Sequence, residues 1–262
     1  SSTVPGLGTS FGRGGATTFQ QDLQNSDCIL IQGSNMAECH PVGFQWVMEA
    51  KARGATVIHV DPRFTRTSAV ADLHVPLRAG SDIVFLGAII NYVLANEKYF
   101  RDYVIAYTNA ATILTEDFVD TEELDGVFSG LDAEGHRYDL SAWSYQGALV
   151  RAAAGSRGTP YKKDVLGRTG GGNTNGQDAG PQVAESLEHP RSVFQTLKRH
   201  FARYTPEMVE QACGVPPDAF ARVCELLTAN SGRPMLPSRV CRMLAVRLYC
   251  TPPVCWVQPT LY

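Results

Sequence analysis

The chain reads as an α/β protein with a parallel sheet of the dinucleotide-binding type, and two observations support this. Three short apolar runs each end in a polar loop. Cys28-Ile-Leu-Ile-Gln-Gly33 enters Ser34-Asn-Met-Ala-Glu-Cys-His40, Ala55-Thr-Val-Ile-His-Val-Asp61 enters Pro62-Arg-Phe-Thr-Arg66, and Leu73-His-Val-Pro-Leu77 enters Arg78-Ala-Gly-Ser-Asp82. Helix-like patterns lie between or after them, as in βαβ repeats. Carboxyl ends of parallel strands lie side by side, so the three loops should converge on one crevice that suits a nucleotide-like ligand.

The first long helix should begin at Pro41, a residue favoured at the first helical position, and stop at Gly54. Phe44, Val47 and Met48 form its expected apolar stripe. The next helix opens after Ser81 or Asp82, either of which can cap it, and is apolar nearly all round, which predicts a central position. Further on, Val193, Leu197 and Phe201 recur every four residues, Thr205-Pro206 starts another helix, and Gly214 stops it. After Pro216-Pro217, Phe220, Val223, Cys224 and Leu227 share one helical face.

Texture divides the chain into four parts: an α/β region over 1–146, a glycine-rich flexible insertion over 147–188, a helical segment over 189–231, and a tail over 232–262. The insertion holds too few apolar groups to offset the entropy of ordering it. The tail crowds arginine, proline and cysteine together with neither helical nor strand periodicity, and is expected to be irregular.

A net charge of -3 excludes a protein whose main work is neutralising a nucleic-acid backbone. No apolar run is long enough to span a membrane, and no secretory signal pattern is visible. The seven cysteines contain no CxxC pair and no zinc-like cluster, so neither a disulfide framework nor a closed metal site is expected.

Asp61 at a strand end can accept hydrogen bonds from a ribose or from the amide edge of guanine; it can equally be a loop aspartate that turns the chain. Arg63 and Arg66 beside it suit phosphate, although solvated arginines are the commoner outcome. Gly33 and Gly80 permit close backbone approach to a ligand. No GxGxxG follows the first strand, so the NAD or FAD fingerprint is missing. Cys39-His40 at a helix N-terminus suggests a thiolate, but no partner carboxylate accompanies it, and His40 is better read as a hydrogen-bond donor to ligand or backbone. No residue is assigned a catalytic or metal-binding role.

These loops, in this order, resemble the molybdopterin oxidoreductase family, most closely the large subunit of formate dehydrogenases. The likeness is carried by Ser2-Thr-Val-Pro-Gly-Leu-Gly8 with Phe11-Gly-Arg-Gly14, and by Ala37-Glu-Cys-His-Pro-Val-Gly-Phe44 with Met48-Glu-Ala-Lys51. It continues in Val60-Asp-Pro-Arg-Phe-Thr-Arg-Thr67, Val70-Ala-Asp72 and Arg78-Ala-Gly-Ser-Asp82. Weaker agreement follows at Tyr107-Thr-Asn109, Phe128-Ser-Gly-Leu-Asp132, Tyr204-Thr-Pro-Glu207 and Cys213-Gly214.

The resemblance implies formate oxidation to carbon dioxide by an enzyme carrying bis-molybdopterin guanine dinucleotide with molybdenum or tungsten. It places one guanine dinucleotide on Gly33, Ser34, Asn35, Glu38, His40, Asp61, Pro62, Arg63, Thr65, Gly80 and Asp82, with Asp61 recognising guanine and Asp82 closing the pocket. It also implies a 4Fe-4S cluster upstream, iron–sulfur and cytochrome partner subunits, and a periplasmic location for the intact enzyme. A fragment made alone would be cytoplasmic.

The family's metal-binding selenocysteine or cysteine and its following histidine match no residue here and would fall just before Ser1. The likeness stops near Ser231. A selenocysteine codon treated as a stop, and a frameshift in the tail, are the corresponding expectations, and the isolated chain is expected to be inactive. Two other readings compete: a nucleotide-binding regulatory module, and a helix-turn-helix over Thr205–Leu227. The second is disfavoured because Arg222 is the one basic residue of its would-be recognition helix.

Overall fold

The computed structural model describes residues 19–147, 181–229, 242–247, 249–251 and 254–256. In chain order the elements are β1 (Ser26–Gln32), α1 (Met36–Cys39), α2 (Pro41–Ala52), β2 (Thr56–Val60), α3 (Arg66–Val70), β3 (Leu73–Val75) and α4 (Asp82–Ala95). Then come α5 (Arg101–Tyr107), β4 (Leu131–Asp132), β5 (Arg137–Tyr138), α6 (Val193–Phe201), α7 (Pro206–Cys213) and α8 (Pro217–Thr228). Three strands complete the set: β6 (Arg242–Arg247), β7 (Tyr249–Thr251) and β8 (Val254–Trp256). The chain divides into two units, one drawn from Ser1–Tyr99 and Tyr204–Tyr262, the other from Phe100–Arg203.

In the first unit the strands order as β3-β2-β1-β6, and every pair is parallel. Side chains of a strand alternate between faces, so one apolar run supplies two cores. Cys28 and Leu30 of β1, with Ile58 and Val60 of β2, join Phe85 of α4, Val209 of α7, and Phe220 and Val223 of α8. Ile29 and Ile31, with Val57, join Met36 of α1 and Phe44, Val47 and Ala50 of α2. Helices therefore cover both faces, which explains why β1 and β2 read as continuous apolar runs rather than alternating ones. Burial raises the Cys28 and Cys224 thiols to about 12, aided by the nearby Asp27 and Glu225 charges, and leaves both as packing groups.

Several packing details differ from the sequence reading. Met48 is exposed, and Gly43 and Ala50 complete the buried face of α2 instead. The helix α4 is not covered all round: Phe85, Gly87 and Ala88 are buried while Ile83 is 73% exposed. Ser81 holds the N-cap position of α4, but its hydroxyl donates to the Arg78 carbonyl at 2.6 Å rather than capping the helix. In α6 the buried residue is Phe194, with Leu197 turned outward. The boundaries of α7 and α8 agree with their proline and glycine signals, and both helices bury their apolar faces in the core.

The second unit has no long strand among its described residues. Residues 110–114 are bonded along the backbone to the returning chain, as when Ile113 donates to Gln182 at 3.0 Å and Phe194 donates to Ala110 at 2.9 Å. β4 and β5 pair as a short hairpin, beside which Phe128, Tyr138 and Trp143 contact one another. By contact, the first unit runs to Tyr99 and resumes at Tyr204, and its parallel sheet takes a strand, β6, from the later stretch. Most of the expected insertion, 148–180, lies outside the described residues. In the tail, expected to be irregular, the described stretches are strands. Met243-Leu-Ala-Val246 is a short unbroken apolar run, a signal that period-two patterning does not register.

Phe85 is fully buried, with its ring 5.7 Å from that of Phe220 in an edge-on arrangement. Phe85→Ala should lower the unfolding free energy by roughly 3–5 kcal/mol, read from urea denaturation. A loss below about 1 kcal/mol would mean that this helix–sheet face is not the core described here.

Candidate functional site

Because β1, β2 and β3 run parallel, the loops leaving them emerge at one edge of the sheet. The Gly33 amide extends the ladder one step by donating to the Val60 carbonyl at 2.9 Å, so the first loop starts directly beside the second. Asp61 donates its amide to the Val75 carbonyl at 3.2 Å, which sets the second loop beside the third strand. Gly33 and Gly80 hold φ of 66° and 86°, a region that side chains disfavour, and turn the chain sharply off the sheet.

The loops are tied together by polar groups. Asn35 accepts a hydrogen bond from the Thr67 hydroxyl at 3.0 Å and donates to Glu38. Glu38 also meets Arg66 at 3.2 Å. Asn35 and Glu38 therefore shape the loop as well as face its surroundings. Thr65 begins α3, its amide donating to the Ser68 hydroxyl at 2.9 Å. Gln32 donates to Asp82 at 2.7 Å and so orients a carboxylate of the third loop from the end of the first strand. Arg78 donates to the carbonyls of Gln211 and Ala212 at 3.0 and 2.9 Å, pinning the third loop to the C-terminal end of α7.

Asp61 is 8% exposed. One carboxylate oxygen accepts from the Arg63 amide at 2.8 Å, the chain-turning role of a loop aspartate. The other has no hydrogen-bond partner among the described residues. Pro62 and Arg63 are exposed beside it. The edge also holds buried polar atoms without partners: the Ser34 and Thr65 hydroxyls, the Gln32 side-chain amide oxygen and His40 Nε2. His40 sits at the N-cap of α2, and Cys39 just before it is the last residue of the four-residue α1. Among the described residues no group of three His, Cys, Asp or Glu side chains is placed to hold a metal ion.

His59 sits within the apolar strand β2 and belongs to no local motif. It is fully buried and joins two loops: Nε2 lies 3.0 Å from the Ser34 carbonyl, and Nδ1 lies 2.7 Å from the Ser68 hydroxyl. A carbonyl only accepts, so Nε2 carries the proton, and Nδ1 accepts from Ser68. Burial is the main influence, holding the imidazole below its ordinary 6.5 against upward pulls from the Ser34 hydrogen bond and the Asp61 charge. A polar residue in a buried strand position is the signal that marks it.

The unfolded imidazole takes up its proton near 6.5 and the folded one only at lower pH. Stability from this group is therefore complete above that value and is lost as pH falls from it towards the lowered folded pKa. His59→Gln should be destabilised by about 1–3 kcal/mol at neutral pH. It should also show a flatter stability profile than the wild type between about pH 7.5 and 5.5 in urea denaturation. Parallel profiles for the two proteins would contradict the neutral, buried assignment.

Residues 7–132 match the family model of the molybdopterin oxidoreductases. The chain is 43% identical over 230 residues to the formate dehydrogenase-O major subunit of Escherichia coli, covering 87% of this chain and 20% of that protein. It is 43% identical over 234 residues to the formate dehydrogenase subunit alpha of Megalodesulfovibrio gigas, covering 89% and 20%. Against the formate dehydrogenase 2 subunit alpha (cytochrome c-553) of Nitratidesulfovibrio vulgaris it is 41% identical over 234 residues, again 89% and 20%. The chain thus spans about one fifth of the length of the curated relatives it matches. With a parallel sheet, three converging loops and this likeness over most of its length, the chain belongs to the molybdopterin oxidoreductase family.

Proposed function

We propose that the crevice at the carboxyl edge of β1, β2 and β3 holds the guanosine end of a molybdopterin guanine dinucleotide, within a subunit that oxidises formate to carbon dioxide. The observation that carries this is the convergence of three loops around a buried carboxylate, Asp61, that keeps one oxygen without a hydrogen bond. The residues fit the group. Partnerless buried atoms at Ser34, Gln32 and His40 offer a donor, an acceptor and a ring nitrogen. A Cβ added at Gly80 would meet nothing within 4 Å, so space is open where that loop turns.

In this arrangement Asp61 accepts from the amide edge of guanine, and its carboxylate is aimed by the Arg63 amide. Arg63 and the Gly33 turn face the phosphates, and Thr65 holds the start of α3 in place behind them. Asp82, oriented by Gln32, closes the far side. When bound, the cofactor supplies a molybdenum or tungsten centre that takes up the electrons released from formate. The chain's own residues bind and orient its nucleotide arm. Onward transfer to iron–sulfur and cytochrome subunits, a 4Fe-4S cluster elsewhere in the subunit and a periplasmic setting complete the proposal.

Asp61→Ala should weaken binding of a guanine nucleotide by roughly 1.5–3 kcal/mol for each charged hydrogen bond lost, measured by calorimetry on the full chain. Adenine nucleotides, which present a different edge, should lose little. Equal affinity of mutant and wild type for guanine nucleotides would remove Asp61 from the role.

A further inference from the structure

The second unit contains a small polar cavity unrelated to the nucleotide crevice. Its volume is about 110 Å³, and Asp120, Glu123, Arg191, Thr196 and Arg199 line it, with Leu114 and Phe118 as part of the apolar wall. Two of its charged groups are left incomplete. Arg191 donates from Nε to the Leu114 carbonyl at 3.4 Å, while its buried Nη2 has no hydrogen-bond partner. Asp120 is 8% exposed. Its Oδ1 lies 3.5 Å from the Thr121 hydroxyl, but the buried Oδ2 has no hydrogen bond. The nearest cation, Arg199, stands 3.7 Å from Oδ2, beyond hydrogen-bond reach, and spends its Nη atoms on the Pro190 carbonyl and the Thr196 hydroxyl.

A buried guanidinium nitrogen and a buried carboxylate oxygen without partners are expensive unless something completes them. The two needs differ in kind, since Nη2 requires an acceptor and Oδ2 requires a donor. Asp120 and Glu123 balance Arg191 and Arg199 in the lining, and the two atoms left unpartnered call for a molecule that supplies at least one acceptor and one donor. An acceptor-only anion would set its own charge against Asp120, whereas a neutral donor would leave Arg191 unmet. We propose that the cavity binds a small oxyanion that keeps one proton, the chemistry shared by hydrogen carbonate and hydrogen phosphate. Its O–H donates to Asp120 Oδ2, and its oxygens accept from Arg191 Nη2, with Arg199 closing over the anion. No covalent step is involved.

The test is thermal denaturation and calorimetry of the full chain at mildly alkaline pH and constant ionic strength, titrated with sodium bicarbonate, inorganic phosphate or sodium nitrate. Saturable stabilisation by bicarbonate or phosphate is expected, and the stronger of the two identifies the source of the anion. Nitrate, which has no proton to give, should bind at least about ten-fold more weakly. In Asp120→Asn the carboxamide can donate, so the preference should shift towards nitrate. Arg191→Gln should abolish binding of all three and keeps the test decisive if the Asn variant does not fold. Absence of saturable stabilisation by either protonated anion would overturn the proposal, as would nitrate binding equal to theirs in the wild type, or unchanged binding in Arg191→Gln.

Discussion

Parallel pairing of β1 with β2, prolonged beyond the strand by the Gly33 amide on the Val60 carbonyl at 2.9 Å, sets where everything else in the first unit can go. An antiparallel partner would send the second loop to the opposite edge, and Gly33 and Asp61 could not share a crevice. Parallel strands need crossovers, and the crossovers here are α1 with α2, and α3. Those helices, with α4, α7 and α8 on the opposite face, bury both sides of the sheet and force the strands to be apolar throughout. Apart from Ser26 at the start of β1, the buried polar exceptions to that apolarity lie at the carboxyl edge. Gln32, His59 and Asp61 are all buried there, and two of them make hydrogen bonds that bind one loop to another.

The site is therefore braced before any ligand arrives. His59 holds the Ser34 carbonyl and the Ser68 hydroxyl, Gln32 holds Asp82, and Arg78 holds the end of α7. Such bracing keeps recognition groups in place without spending ligand binding energy on ordering them. It also separates two kinds of residue. Asn35 and Glu38 are committed largely to the loops themselves, whereas Asp61, Ser34, His40 and Thr65 retain atoms without partners. The second group is where a ligand has most to offer.

Much of this was legible in the sequence. The runs ending at Gly33, Asp61 and Leu77 announced strands because β-branched and apolar residues stop abruptly at glycine, aspartate or proline. Pro41, Pro206 and Gly214 marked helix ends through backbone chemistry that acts locally. What escaped notice depends on distant contacts. Whether Met48 or Ala50 faces inward is decided by the angle at which α2 meets the sheet, and Ile83 lies open because α4 is covered on one side only. Similarly, Tyr204 rejoins the first unit after a hundred residues elsewhere, which no linear change of texture discloses. The role of His59 follows from Ser34 and Ser68, residues separated from it by the fold rather than by a motif.

Hydrogen–deuterium exchange of the full chain, with and without a guanine nucleotide, bears most directly on the central claim that this edge is the nucleotide site. The account predicts slowed exchange in the three loops 33–40, 61–67 and 78–82 together, with no change at the opposite edge around Ser26 and Arg53. Protection at that opposite edge, or in one loop alone, would contradict it.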